Sequence, residues 1–563
     1  VTSRNWWQLP LTAVLCGGVL AFALPTVFPI IGTQEMLPHG ELTVLAYVAL
    51  VPLLMRARSA PPKLAFGVGV LCALGYYSVA IWWVYVAMNT FGGISPSISI
   101  AILYLLIGYL ALFWGAAFAL TAAICGDGST RPGRGGHPYR PPPRWLVLPL
   151  AFTALELLRD YLFSGFPWAN LGYTLARDRW ALQLASLCGV YGLAFVAMGC
   201  NAALAEWWVL RKSAPAWALL VYVAVPHLYG AVRLPLLERA LAGDPTLSIA
   251  LLQGNIDQKI KNAAKGGTMG FPEYRDFILD RYVPLTREAD RAGVDLIIWP
   301  EASLPGALPL RPQRLPPWLG DEEFRAQLLL GGVTAGVVDD RRLLTNSAFA
   351  LDRQRNVLFQ YDKHHLVPFG EYVPLEKTLH LPIHKVVPDI GFFDPGADMT
   401  VFSVTPLDGA KPATYGPLIC FDAIFPEISV ELARKNPDFL VNMTNDAWYG
   451  FSSAAYQFLS IVAVRAVETG KSVARAANTG ITAFIDPTGR VLSRTKIGLV
   501  HDDSPALDAR AAVPPELLIG TIPLHPRPTP YVVIGDAFAY LCGAATLLLW
   551  LRARRANAPR RSA

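Results

Sequence analysis

Within the first 230 residues, apolar runs of bilayer length follow one another, broken by short polar loops. A bilayer core takes about 20 apolar residues per helix. The candidate spans are 10–31, 41–55, 64–87, 97–125, 145–163, 183–209 and 214–231, with one more at 530–551. Composition agrees. Of 563 residues, 16% are charged, against roughly 25% in soluble domains. Mean hydropathy is +0.37. This excludes a disordered chain and a small disulfide scaffold, and argues against a wholly soluble protein. A formal net charge of +6 is too small an excess to point to nucleic acid. Seven cysteines without metal-type spacing argue against a zinc site.

The basic residues orient these spans. Arg4 precedes the first. The 32–40 loop has no Lys or Arg. The 56–63 loop has Arg56, Arg58 and Lys63, and the 88–96 loop has none. The 126–144 loop has Arg131, Arg134, Arg140 and Arg144. The 164–182 loop has Arg177 and Arg179, offset in part by Asp178. Arg211 and Lys212 follow the sixth span, and the tail has Arg552, Arg554, Arg555, Arg560 and Arg561. Lys and Arg stay on the cytoplasmic side. The expectation is eight spans, both termini inside, and everything between spans seven and eight outside. In domains, this reads as a membrane domain of seven transmembrane helices over 1–231, an outer domain over 245–525, a final span over 530–551 and a basic cytoplasmic tail over 552–563.

From 245 the texture changes. Charges become frequent and apolar runs shrink to strand length, as at 247–253, 295–300 and 438–443. Amphipathic stretches at 273–292 and 453–471 lie between such runs. Strands alternating with helices predict an α/β domain. Cys420 is the one cysteine in it; the other six lie in or at the ends of spans. Three segments in this domain carry chemistry. DLIIWPEAS puts Glu301 just after an apolar strand, behind Trp299. YDKHHLVPFGEYVP puts Lys363 and Glu371 in a loop. YGPLICFDAIFPE puts Cys420 at another strand end. Strand ends of an α/β sheet are where reacting groups collect. A thiol to attack, a carboxylate to take its proton and an ammonium to hold an oxyanion suffice for acyl transfer from an ester or amide. Singly, each has a plain alternative: a helix-cap carboxylate, a surface charge, a core thiol.

Together with GNIDQKIK (254–261), NMTNDAWYG (442–450), RAVETGKSVARAANTG (465–480) and SGFPWANLGY (164–173), these segments resemble the nitrilase superfamily. Within it they resemble the apolipoprotein N-acyltransferase family, over nearly the whole chain. The resemblance implies a polytopic α-helical membrane domain carrying an αββα sandwich, with a Glu301–Lys363–Cys420 triad. It implies a phospholipid acyl donor, a Cys420 thioester, and a diacylglyceryl lipoprotein as acceptor through its α-amino group. The implied location is the bacterial inner membrane, multi-pass, with the catalytic domain on the periplasmic side and no cofactor or metal. Glu371 would be a second acid beside Lys363, and Trp299, Phe421, Asp422, Asn442, Asn445 and Asp446 would line or support the site. Arg465 and Glu468 read as a structural pair. His364 and His365 read as loop hydrogen-bonders, and Glu156, Arg159 and Asp160 as charges near a span end that pair or snorkel. Three departures stand out: Phe421-Asp422 where the family commonly has Tyr-Glu, Asn262 where it has Trp, and Phe458 where it often has His. A membrane-tethered amidase and a non-catalytic lipid or lipoprotein carrier remain the alternatives.

Overall fold

Apolar runs become helices and strand-length runs become two sheets. The computed structural model describes residues 8–26, 42–126, 131–132, 138–265, 267, 269–316, 323–368, 370–372, 392–450, 452–496, 513–525 and 527–557. The 32–40 loop, Arg4, Arg134, Arg560 and Arg561 lie outside the described residues. The chain divides into two compact units. One comprises Val1–Trp83, Ile100–Pro235 and Ile534–Ala563, and the other Val84–Ser99 and Leu236–Val533.

The first unit is helical. Its helices are α1 (Gln8–Ala21), α2 (Leu45–Val48), α3 (Val51–Ala57), α4 (Pro62–Ala80), most of α6 (Pro96–Cys125), α7 (Arg144–Tyr161), α8 (Ala185–Leu210), most of α9 (Ser213–Leu241), and the C-terminal Ala537–Asn557. The short helix α5 (Trp83–Val86) falls at the boundary. A minimal ribbon pairs β1 (Arg131–Pro132) with β2 (Pro138–Tyr139). By length and composition, α4, α6, α9 and the Ala181–Leu210 stretch that contains α8 can each cross a membrane. The second candidate span, 41–55, is broken into α2 and α3. α1 and α4 meet at glycines. A Cβ on Gly17 would stand 1.8 Å from the Cys72 carbonyl oxygen, and one on Gly75 2.1 Å from that of Val14. Small residues let helix backbones approach this closely.

The three ionisable residues near the end of α7 pair, as one of the two expectations held, and they also pin a loop. Glu156 accepts a hydrogen bond from the Leu171 backbone (2.8 Å). Asp160 accepts from Asn170 Nδ2 (2.6 Å) and Tyr191 (2.9 Å). Arg159 donates to Asp160, Asn170 and Tyr77. The charges thus replace water as partners for the SGFPWANLGY backbone and side chains, which satisfies buried polar groups.

The second unit is a sandwich. One sheet runs β15 (Glu516–Pro523), β3 (Thr246–Gln253), β4 (Leu296–Ile298), β6 (Gln327–Val338), β7 (Arg341–Leu351), β8 (Val357–Asp362), with β5 (Ala307–Leu308) on β6. The other runs β14 (Val491–Arg494), β13 (Ala483–Ile485), β12 (Ser472–Ala477), β11 (Phe439–Thr444), β10 (Ala413–Ile419), β9 (Phe402–Val404). Each has a parallel centre, β3–β4–β6 and β10–β11–β12, and antiparallel flanks. The central strands are buried on both faces, as parallel sheets covered on both sides require. β3 packs against β12 and β7 against β10, so the sheets lie face to face. α11 (Phe271–Arg291) covers the first sheet through Ile278, Tyr282 and Ala289. α12 (Pro426–Arg434) and α13 (Ala454–Thr469) pack beside the second. The layers are therefore α, β, β, α. Val84–Ser99 belongs to this unit, and its π-helical turn Ala87–Phe91 packs on the Asp446–Tyr449 turn.

Candidate active site

Glu301, Lys363 and Cys420 leave three different strands and converge. Glu301 follows β4 at a tight turn. Ala302 is left-handed (φ +46°), and the turn lies so close to β6 that a Cβ on Gly331 would stand 2.3 Å from the Pro300 carbonyl oxygen. Lys363 follows β8, its backbone N–H bonded to the Asn346 carbonyl (2.8 Å). Cys420 follows β10 and opens a 3-10 turn with φ +47°. A non-glycine residue there is strained by about 1 kcal/mol or more.

The charges are tied together. Lys363, 1% exposed, donates from Nζ to Glu371 Oε1 at 2.9 Å and lies 3.4 Å from Glu301 Oε1. Asn346 Nδ2 donates to Glu301 Oε1 (2.8 Å) and approaches Glu371 Oε1 (3.4 Å). The Asn445 backbone donates to Glu301 Oε2 (2.8 Å), and the Val367 backbone to Glu371 Oε2 (2.8 Å). Burial opposes the Lys363 charge, but Glu371, Glu301 and Cys420 together hold its pKa well above the usual lysine value. Burial pushes the Cys420 thiol up; Glu301 adds to this, and Lys363 with a hydrogen bond from Thr444 works against it. These influences favour the neutral thiol of Cys420 and the charged ammonium of Lys363.

The surrounding residues buttress this centre. Asp422 bonds the Tyr361 hydroxyl (2.9 Å) and the backbones of His365 (2.8 Å) and Ile419 (3.0 Å). It ties the Lys363 loop to the Cys420 turn, and burial raises its carboxyl to about 6 against those hydrogen bonds. Phe421 packs edge-on to Phe425 (5.5 Å). His365 stacks on Phe425 (3.6 Å), so its ring packs as an aromatic. Asn445 also donates from Nδ2 to Gln258 Oε1 (3.2 Å) and accepts from Asn478 (2.8 Å). Asn442 donates to the Leu418 carbonyl (3.2 Å) and accepts from Arg475. Asp446 pairs with Arg475 Nη2 (2.6 Å).

Trp299 differs from the expectation. Its ring stacks on Tyr282 (4.7 Å), its Nε1 donates to Thr286 (2.9 Å), and it belongs to the core cluster under α11. It is a core residue, because β4 is buried on both faces and alternate side chains point to opposite ones. Arg465 and Glu468 form a fully buried pair at 2.6 Å, away from the triad contacts.

The family models match in order. The apolipoprotein N-acyltransferase N-terminal domain matches residues 34–203, and the carbon-nitrogen hydrolase domain matches 249–497. An apolipoprotein N-acyltransferase of Geobacter metallireducens is 34% identical over 549 residues, 96% of this chain and 94% of that protein. The chain belongs to the apolipoprotein N-acyltransferase family. Family members from Caulobacter vibrioides, 32% identical over 94% of this chain and 92% of that protein, and Rhizobium rhizogenes, 31% identical over 86% and 87%, agree.

Three of the residues that depart from the family pattern, Asn262, Phe458 and Asp422, touch residues that support the site. Asn262 accepts from Gln258 Nε2 (3.0 Å), the residue that meets Asn445. Phe458 lies under the Arg475 guanidinium (4.2 Å). Asp422 reaches all three of its partners despite its shorter side chain. Sequence reasoning missed Asn346, Thr444, Gln258 and Arg475. For Asn346, in the interior of β7, no local signal exists.

Proposed function

We propose that this chain takes an acyl chain from a phospholipid onto Cys420 and passes it to the α-amino group of the N-terminal diacylglyceryl-cysteine of bacterial lipoproteins. The observation that carries this reading is a buried, hydrogen-bonded Glu301–Lys363 pair within electrostatic reach of the buried Cys420 thiol, in a chain of this family. Glu301 takes the thiol proton as Sγ attacks the ester carbonyl. Lys363 balances the oxyanion. The tetrahedral intermediate collapses, the protonated Glu301 delivers its proton to the departing lysophospholipid oxygen, and a thioester remains. The acceptor amine then attacks, Glu301 takes its proton and passes it to the departing Sγ, and the amide leaves as the thiol re-forms. This is a ping-pong sequence. Glu371 holds Lys363, and Asp422, Asn442, Asn445 and Asp446 hold the frame.

Eight spans with both termini inside put residues 245–525 on the periplasmic side of the inner membrane, where both lipid substrates are reached. The support is the alternation of basic loops.

The test is intact mass of the full-length protein in detergent after incubation with phospholipid. The expected result is an acyl adduct that hydroxylamine removes and that Cys420→Ser lacks as a thioester. Absence of any adduct, with turnover of soluble amides, would assign the site to hydrolysis instead.

A further inference from the structure

Asn346 lies inside β7, 5% exposed, and touches Glu301, Lys363 and Glu371 at once. Its backbone carbonyl accepts the Lys363 N–H at 2.8 Å. Its Nδ2 donates to Glu301 Oε1 at 2.8 Å and approaches Glu371 Oε1 at 3.4 Å. Lys363 Nζ meets the same two oxygens in the opposite order of length, 3.4 Å to Glu301 and 2.9 Å to Glu371. Two nitrogen donors and two carboxylate oxygens thus alternate around a ring. Asn346 Oδ1 is also buried, and it has no hydrogen-bond partner among the described residues.

A buried acceptor without a partner is costly. An apolar side chain of the same shape would avoid that cost, so it is the donor end of the amide that accounts for an asparagine here. The nitrogen must be the end that faces the carboxylates, because an oxygen there would repel both. Each carboxylate oxygen has two lone pairs. At Glu301 Oε1, Asn346 and Lys363 take both. At Oε2 the Asn445 backbone N–H takes one, at 2.8 Å, and no other donor reaches it among the described residues. A proton arriving at Glu301 therefore lands on Oε2. Nδ2 also bridges the two Oε1 atoms, where two neighbouring carboxylates would otherwise hold one proton between them.

We propose that Asn346 is a positioning residue that decides where Glu301 holds its proton: it closes Oε1 and the gap to Glu371, so that the thiol proton goes to Oε2 and stays deliverable to the leaving group. The S–H bond of Cys420 breaks and an O–H bond forms at Glu301 Oε2. The electron pair on sulfur goes to the ester carbonyl carbon, and Asn346 itself gains and loses no bond. The proposal rests on the reading of Cys420 as nucleophile and Glu301 as its base. The charged and titratable groups that face Glu301 are Lys363, Glu371, Cys420, Asp446 and Tyr449, and Asn346→Leu leaves all five in place.

The test is the single-turnover rate of thioester formation from phospholipid, followed from pH 5.5 to 9 with the full-length protein in detergent. In Asn346→Leu the vacated bridge lets Glu301 and Glu371 share a proton, which must leave before Glu301 can act as a base. The acid limb of the profile is expected to move up by about one unit. The rate then falls about tenfold at pH 6 and returns to within about threefold of wild type at pH 9. Should the leucine variant not fold, Asn346→Ala removes the same donor and reads the same shift. A limb that stays in place or moves down overturns the proposal. So does a rate lowered by one factor at every pH, which is what lost packing alone would give. Failure of the underlying reading looks different: Glu301→Gln would then form thioester at the wild-type rate, or Cys420→Ala would still gain the hydroxylamine-sensitive adduct.

Discussion

The Lys363 ammonium sits closer to Glu371, at 2.9 Å, than to Glu301, at 3.4 Å. The carboxylate nearest the lysine is therefore not the one proposed as the base, and Glu301 is left with a shared claim on the charge.

Glu371→Gln should expose that division of labour. Lys363 would lean fully on Glu301 and weaken it as a base. A charge-assisted hydrogen bond contributes about 1.5–3 kcal/mol, so thioester formation should slow by roughly 10- to 100-fold while membrane insertion persists. Pre-steady-state thioester formation checks this; an unchanged rate would free Glu371 of any role in holding Lys363.

Asp422 carries a pH signature. Its folded carboxyl stands at about 6, above the ordinary value of about 3.9. The folded state binds this proton more tightly, so the associated stabilisation is complete below about pH 3.9 and is lost as pH rises through about 6. Asp422→Asn cannot titrate. The melting temperature of wild type relative to Asp422→Asn in detergent should therefore fall between pH 4.5 and 7. A gap that does not change with pH would contradict this.

Arg465 and Glu468 should behave as a pair. Removing one partner of a buried ion pair typically costs about 3–5 kcal/mol, whereas apolar replacement of both is often near neutral. Glu468→Leu alone should lower the melting temperature sharply, and Arg465→Met with Glu468→Leu should recover most of it. Additive losses would indicate that the two side chains act separately.

Asn170→Ala tests the pinned loop. It removes the donor to Asp160 and a partner of Arg159, at a cost of about 1–3 kcal/mol. Thermal stability should drop, and the protein that remains folded should form thioester at near the wild-type rate. A catalytic defect without a stability defect would move this loop from scaffold to substrate path.

Labelling tests the topology. Single-cysteine variants at Ser213 and Gln354, both exposed, should differ toward an impermeant thiol reagent on intact spheroplasts. Gln354→Cys should react, and Ser213→Cys should need permeabilisation. The reverse pattern would invert the orientation.

What the sequence made legible were groups that announce themselves locally. Glu301 and Cys420 each sit just past an apolar strand, where a polar residue is conspicuous, and Lys363 and Glu371 stand in a loop rich in turn-forming residues. Asn346 was not legible, because an asparagine inside TNSAFAL carries no mark of the carboxylate it meets from another strand. Thr444 and Arg475 reach the site only through strand pairing, which local patterning does not encode. Trp299 misled because adjacency to Glu301 along the chain implies nothing about the face its ring takes. The Val84–Ser99 segment read as the end of one span and the loop after it, yet it groups with the sheets through contacts far away in sequence.

Glu301 and Lys363 hang from one sheet and Cys420 from the other. Neither sheet alone holds both the Cys420 thiol and the Glu301 carboxylate. During synthesis Glu301 and Lys363 are made before Cys420, and the three come together only when the two halves of the sandwich close on each other. A chain whose two sheets have not packed against each other carries the right residues and no assembled site.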